Sequence, residues 1–334
     1  MRIGVFGTGA IGGILGGFCH IAGHDVLLID KADEHVDAIN QNGLLITGIK
    51  GEFRVLAGAV TPEQMGGHFD LIFLCVKSQD TVESMKVMLP HLNNNSYVVS
   101  MQNGLNEEII AEFIGRDKTV GCLVDWGADY QGPGHIQYGG EGPMRLGMLD
   151  GNTGKEITDI QAILNHTAPT YISENILGYL WSKLIWGGFF VGNALGNASC
   201  VEMLSDRANS YILKALFREG TLVAQRAGIK LEALTEHDFD PIELLDSKDV
   251  YAAFGKMADS FRGHLKTHSG PWRDIAIRRR PTEADFIIGV IVSRGEALGM
   301  ETPLNSRLLS MIKEVERGER KQNDSNLLEL GSLM

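Results

Sequence analysis

Apolar residues first appear as short, nearly unbroken runs. Arg2 to Phe6, Val26 to Ile29, Phe69 to Val76, Tyr97 to Met101 and Thr119 to Val124 each read as a strand covered on both faces, as strands of a parallel sheet are. Between these runs the spacing becomes helical, through Ile14, Leu15 and Phe18, then over Lys31 to Gln41, Asp80 to Leu89 and Leu105 to Ile114. Leu44 to Val55 alternates apolar and polar residues around Gly48 and Gly51, which predicts a hairpin. Glycine-rich Tyr130 to Gly147 predicts further strands, with turns at Gly132-Pro133-Gly134 and Gly139-Gly140. From Leu177 onward the strand pattern stops. Helical segments broken near Gly228, Pro241 and Gly270-Pro271 run to Glu316, and the polar residues after it are expected to fray until Leu327-Leu328 docks weakly. The pattern predicts α/β plus all-α: a parallel-sheet domain over 1–174 and an all-helical domain over 175–334.

Composition fits two domains. The 334 residues exceed one ordinary domain, and an apolar fraction of 44% suffices for two cores. A formal charge of −12, with Arg278-Arg279-Arg280 as the only basic cluster, argues against nucleic acid as a partner. Cys19, Cys75, Cys122 and Cys200 lie far apart and form no CxxC pair, so reduced thiols are expected rather than a disulfide framework. No charged-then-apolar leader precedes the first strand, and the longest apolar run, Leu184 to Leu195, is too short to span a bilayer. The expectation is a soluble, cytoplasmic protein with no membrane partner.

Candidate chemistry begins at the first turn. Gly7-Thr8-Gly9-Ala10-Ile11-Gly12 follows a strand and opens a helix, and the next strand ends in Asp30, the order of a dinucleotide-binding βαβ unit of Rossmann type. Gly7 permits the turn, Gly9 lets backbone amides approach a pyrophosphate, and Gly12 lets helix and strand pack closely. A glycine turn without a ligand is the plain alternative. In the second half, Lys183 stands inside the apolar run Trp181 to Trp186; it is either a snorkelling side chain or a functional ammonium. Further on, Thr282 precedes the acids Glu283 and Asp285 as a helix N-cap would.

Gly7 to Gly12, Val76-Lys77, Gln102-Asn103-Gly104, Leu180 to Leu184 and Thr282-Glu283 stand in an order and spacing that resemble the ketopantoate reductase (2-dehydropantoate 2-reductase) family over nearly the whole chain. The resemblance implies a Rossmann domain, an all-helical domain, and an active site in the cleft between them. It also implies NAD(P)H-dependent reduction of a small 2-oxo acid, ketopantoate to (R)-pantoate, as in pantothenate biosynthesis, and leaves a homodimer open. Carried over by position, Lys183 is the proton donor and Glu283 its partner, also touching the cofactor. Lys77 and Asn103 line the cofactor and substrate, and Ala128 offers a backbone contact to the nicotinamide side.

The chain also departs from that pattern. The family's asparagine one turn after the lysine is Gly187 here, and its second helix asparagine aligns with Val191. At about 100° per residue, Asn197 returns to within roughly 40° of Lys183 on a continuous helix and Asn193 sits about 80° away, making both substrate candidates. Ser269 lies near the family's substrate serine, and the segment to Glu283 holds one extra residue, with Pro281 inserted. His135 and the pair His264/His268 match nothing, and no metal is expected.

For the cofactor, Lys31 suits a 2′-phosphate, whereas Asp30 suits the ribose hydroxyls and slightly favours NADH over NADPH. Two rivals share the glycine turn: an opine- or 3-hydroxyacid-type dehydrogenase, whose histidine–acid pair is not evident here, and a protein that senses dinucleotide without turnover.

Overall fold

The opening apolar run folds as β1 (Arg2–Phe6) and passes through the glycine turn into α1 (Ala10–Ile21) in the computed structural model, which describes residues 1–262 and 267–334. Next come β2 (Asp25–Ile29), α2 (Asp33–Asn42), β3 (Leu44–Gly48), β4 (Phe53–Val55), β5 (Gly58–Val60) and β6 (Phe69–Leu74). They are followed by α3 (Thr81–Met88), β7 (Leu92–Ser100), α4 (Glu107–Ile114) and β8 (Thr119–Val124). β9 (Gly127–Gly132), β10 (His135–Gly140), β11 (Met144–Met148), α5 (Lys155–Leu164) and β12 (Thr170–Ile172) complete a compact unit, Met1–Ile176.

Its main sheet runs β12-β11-β8-β7-β6-β1-β2-β5. From β5 to β8 every pairing is parallel; β11 lies antiparallel to β8 and β12 parallel to β11. Counted along the chain, the parallel strands stand in the order 3-2-1-4-5-6 of a Rossmann sheet, which reverses between β1 and β6. Alternate side chains serve opposite faces. Ile3, Val5, Leu71, Phe73, Val99 and Val120 join Ile14, Leu15, Ile157 and Ile160 on one side, while Ile72, Leu74 and Val98 join Met85, Met88 and Ile110 on the other. A smaller sheet, β4-β3-β10-β9, contains the expected hairpin of β3 and β4.

Several details differ from the sequence pattern, among them β7, which begins at Leu92, five residues before the expected Tyr97. β6 stops at Leu74, two residues early, and Gly139 and Gly140 belong to β10 rather than to a turn. β5 and β12 have no sequence signature because three residues are too few to show a period.

The second unit, Leu177–Met334, holds helices and no strand among its described residues. α6 (Ile176–Asn193) starts on the last residue of the first unit; α7 (Cys200–Ser205), α8 (Arg207–Arg226), α9 (Pro241–Asp246), α10 (Val250–Phe261), α11 (Gly270–Ala276), α12 (Ile288–Ala297) and α13 (Pro303–Glu316) follow. Trp186 of α6 is buried against Phe189, Phe217 and Phe239, with ring centroids 4.9–5.7 Å away.

The expectation of a frayed tail is wrong. Residues Asp324–Leu333 form a 3-10 helix with Leu327 and Leu330 buried, and the preceding polar residues cap the chain just beyond α6. Gln322 Nε2 donates to Ala194 O, while the Asn323 amide and Asn326 Nδ2 donate to Leu195 O. Polar residues here answer the carbonyls of the two residues just past α6, which composition alone reads as solvent exposure. All four cysteines are free, and among the described residues no helix is long and apolar enough to cross a membrane.

Candidate active site

The turn after β1 is built for close approach. Gly7 has φ +93, and a Cβ there would lie 2.8 Å from the Val76 backbone nitrogen just past β6; a Cβ at Gly12 would lie 2.1 Å from Gly7 O. Beside Gly9, by contrast, nothing stands within 4 Å of where a Cβ would be. Asp30 reaches back into this turn from the end of β2. Its Oδ2 accepts from the Thr8 amide (2.8 Å) and hydroxyl (3.3 Å), and its Oδ1 accepts from the Ala32 amide (3.0 Å). Lys31 is 78% exposed and lies 3.2 Å from Asp80 Oδ2. Room beside Gly9, first-turn amides of α1 and the Asp30 carboxylate together fit a pyrophosphate and its ribose.

The ends of β6 and β7 are joined by buried polar side chains. Asn103 is exposed, yet its carbonyl accepts from Ser78 Oγ (2.8 Å) and Asn106 Nδ2 (2.7 Å), so its backbone is fixed while its amide faces outward. Thr81 Oγ1 donates to Asn106 Oδ1, and Gln102 Nε2 donates to Thr81 Oγ1 and to Val76 O. That last bond pins the residue before Lys77, which is half-buried. Ser78, Thr81 and Asn106 escaped the sequence reading, although polar residues directly after an apolar strand were the available signal. Ala128 sits half-buried on β9, paired with Tyr138.

In the second unit, Lys183 stands mid-way along α6, half-buried between fully packed neighbours Ser182 and Leu184. One turn on, Gly187 has no room for a side chain, since a Cβ would lie 2.3 Å from Ile287 Cγ2. Glu283 is buried at the start of a 3-10 turn, Ala284–Phe286, and its carbonyl accepts from the Phe286 amide. Glu283 rather than Thr282 holds the N-cap position of this turn, and the Thr282 hydroxyl, one residue earlier, accepts from the Ala284 amide. Glu316 of α13 holds Thr282 through amide (2.8 Å) and hydroxyl (2.6 Å), and Lys313 bridges Glu316 and Asp285.

The substrate candidates on the far end of α6 are placed differently than expected. α6 ends at Asn193, so the continuous helix that would have returned Asn197 towards Lys183 does not exist. Asn197 is exposed, with its amide on Asp324 Oδ1 and its side chain on Gln322 O. Asn193 is 2% exposed; its Nδ2 donates to Ala198 O and its Oδ1 accepts from the Ser269 amide. Ser269 Oγ donates to Phe190 O and caps α11 by accepting from the Trp272 amide. These side chains tie α6 to α11.

His264 lies outside the described residues. His268 stacks on Trp272, and His135 bonds Thr47 Oγ1. Among the described residues no cluster of three or more His, Cys, Asp or Glu could hold a metal ion.

Comparison with known proteins covers both units. Residues 3–151 match the family model described as ketopantoate reductase PanE/ApbA, and residues 175–316 match that of its C terminal region. The 2-dehydropantoate 2-reductase of Pyrococcus abyssi is 34% identical over 328 residues, 96% of this chain and 100% of its own. A PanE/ApbA family ketopantoate reductase from Ralstonia eutropha JMP134 superposes with a TM-score of 0.80 at 26% identity, covering 96% of this chain and 99% of its own. D-mandelate dehydrogenase, in a ternary structure with NADH and anilino(oxo)acetate, shares the fold at a TM-score of 0.82 and 24% identity, covering 95% and 99%.

Proposed function

Because the chain belongs to the ketopantoate reductase family, we propose that it is an NAD(P)H-dependent oxidoreductase that reduces ketopantoate (2-dehydropantoate) to (R)-pantoate. The observation that carries this reading is the full-length match together with a glycine turn that leaves open space beside Gly9. The dinucleotide, when bound, supplies hydride to the ketone carbon. Negative charge then grows on the ketone oxygen, where the Lys183 ammonium stabilises it and delivers the proton that completes the hydroxyl. Asn103, with a fixed backbone and an outward amide, orients the 2-oxo acid. Glu283 and Lys77 complete the binding residues. Free cysteines fit a reducing, cytoplasmic setting.

A panel of 2-oxo acids followed by loss of reduced-nicotinamide absorbance tests the reaction. Ketopantoate should be turned over, and Lys183→Ala should lower kcat by about 10²–10⁴ while cofactor binding stays near the parent's. Dinucleotide binding without oxidation by any 2-oxo acid would point instead to a sensing protein.

NADH is the proposed cofactor. The Asp30 charge would repel a 2′-phosphate, and with one oxygen shared by Thr8 and the other holding a single amide, one acceptor position remains for a ribose hydroxyl. Lys31 is exposed and paired with Asp80. NADH should exceed NADPH in kcat/KM, and Asp30→Ala should narrow the gap; a strong NADPH preference unchanged by Asp30→Ala rejects the assignment.

A further inference from the structure

Thr8, wholly buried in the glycine turn, is held at both ends. Asp30 Oδ2 accepts from its amide and hydroxyl, and its carbonyl lies 2.9 Å from Nε2 of His35, in the first turn of α2. The other ring nitrogen, Nδ1, lies 2.9 Å from the Gly134 amide nitrogen in the β9–β10 turn. A carbonyl can only accept and a backbone amide can only donate, so Nε2 carries the ring proton and Nδ1 is bare. Adding a second proton would set a donor against the Gly134 N–H. His35 is 1% exposed and packs on the Tyr130 ring at 5.2 Å, while Gly134, at φ +70, would bring a Cβ to 3.0 Å from Ala38 of α2. The imidazole thus joins the small sheet to the glycine turn.

What this bond aims is the next amide. A peptide is planar and trans, so the Gly9 N–H points opposite to the Thr8 carbonyl; fixing one directs the other. Asp30 holds the other end of Thr8 through its amide and hydroxyl, whereas the plane itself is flanked by Gly9, whose backbone turns freely, so the bond to His35 adds a restraint at the carbonyl. Held by His35, the Gly9 amide is turned away from α2.

We propose that neutral His35 is a positioning residue for dinucleotide binding, presetting the glycine turn through Thr8. The inference rests on the dinucleotide reading above. NADH affinity of the full chain, by fluorescence titration, separates the two ring bonds. His35→Gln places an amide N–H where Nε2 was and keeps the donor to Thr8; His35→Asn keeps an acceptor for Gly134 and offers Thr8 nothing. His35→Asn and His35→Leu should weaken NADH binding about 10- to 100-fold, the range for one buried polar group left without its partner, with kcat at saturating NADH within a few-fold of the parent. His35→Gln should restore affinity to within a few-fold. Equal weakening by Gln and Asn, the reverse order, or parent-like binding in all variants overturns the role, and the Gln/Asn pair decides should His35→Leu not fold. A parent chain that binds neither NADH nor NADPH overturns the dinucleotide reading first, and this role with it.

Discussion

At Gly187 the resemblance leads one to expect an amide, and Ile287 occupies the room instead. A substrate hydroxyl directed there would meet a methyl group, so discrimination for ketopantoate over 2-oxoisovalerate, which lacks the hydroxyl, should be weak. An unpaired buried polar group costs about 1–3 kcal/mol. Gly187→Asn alone should overpack and lower the melting temperature. Combined with Ile287→Ala it should fit and raise the kcat/KM ratio of ketopantoate to 2-oxoisovalerate by about tenfold or more; a parent that already separates the two by several orders of magnitude disproves the argument. A second residue with a measurable consequence is Glu107, 1% exposed, whose carboxylate oxygens have no hydrogen-bond partner among the described residues. Burial pushes its carboxyl up to about 7; nearby first-turn amides and the Ser100 hydroxyl oppose the shift without reaching normal bond geometry. The folded state therefore holds a proton that the unfolded chain releases near its ordinary 4.5. Stability from this group is complete below about 4.5 and is lost as pH rises through about 7. Glu107→Gln, which cannot ionise, should match the parent in thermal melts at pH 4.5 and exceed it at pH 8; equal curves at both pH values would show that the buried carboxylate costs nothing.

Among elements, α6 is the most instructive. Its apolar stretch was evident from Trp181-Ser182-Lys183-Leu184, yet its end at Asn193 was not, because Ala194 and Leu195 continue the apolar run and no proline marks the stop. Past Asn193 the chain closes in local turns, and Gln322, Asn323 and Asn326 from the tail answer the carbonyls of Ala194 and Leu195. Asn326 also donates to Lys321 O and accepts from Arg320, so Asn326→Ala leaves several buried groups unpaired. It should cost about 1–3 kcal/mol in denaturant unfolding, against almost nothing for exposed Ser332→Ala. A loss no larger than the control's would mean that the tail is dispensable. Strand boundaries were legible for β8, which spans the expected Thr119–Val124, but not for β6 or β7, whose ends depart from their apolar runs. β5 and β12, three residues each, are strands only because a neighbour supplies their hydrogen bonds.

Over the whole molecule, a chain of net charge −12 takes anionic ligands, so local groups must answer a repulsive average field. The sequence by itself determined the class of fold, the βαβ opening and the family, since hydrophobic period and glycine spacing are local properties that survive without coordinates. It also marked Lys183 as an ionisable residue in an apolar run, whereas Glu283, among polar neighbours, stood out only through the family resemblance. Only the tertiary structure decided that Asp30 turns back to the glycine turn while Lys31 faces Asp80, that Asn193 and Ser269 bind each other's segments, and that His35 holds Thr8. Each of these is a hydrogen bond or ion pair between residues far apart in sequence, and a polar side chain shows no period that names its partner; its direction is fixed by which distant donor or acceptor the fold leaves unsatisfied beside it.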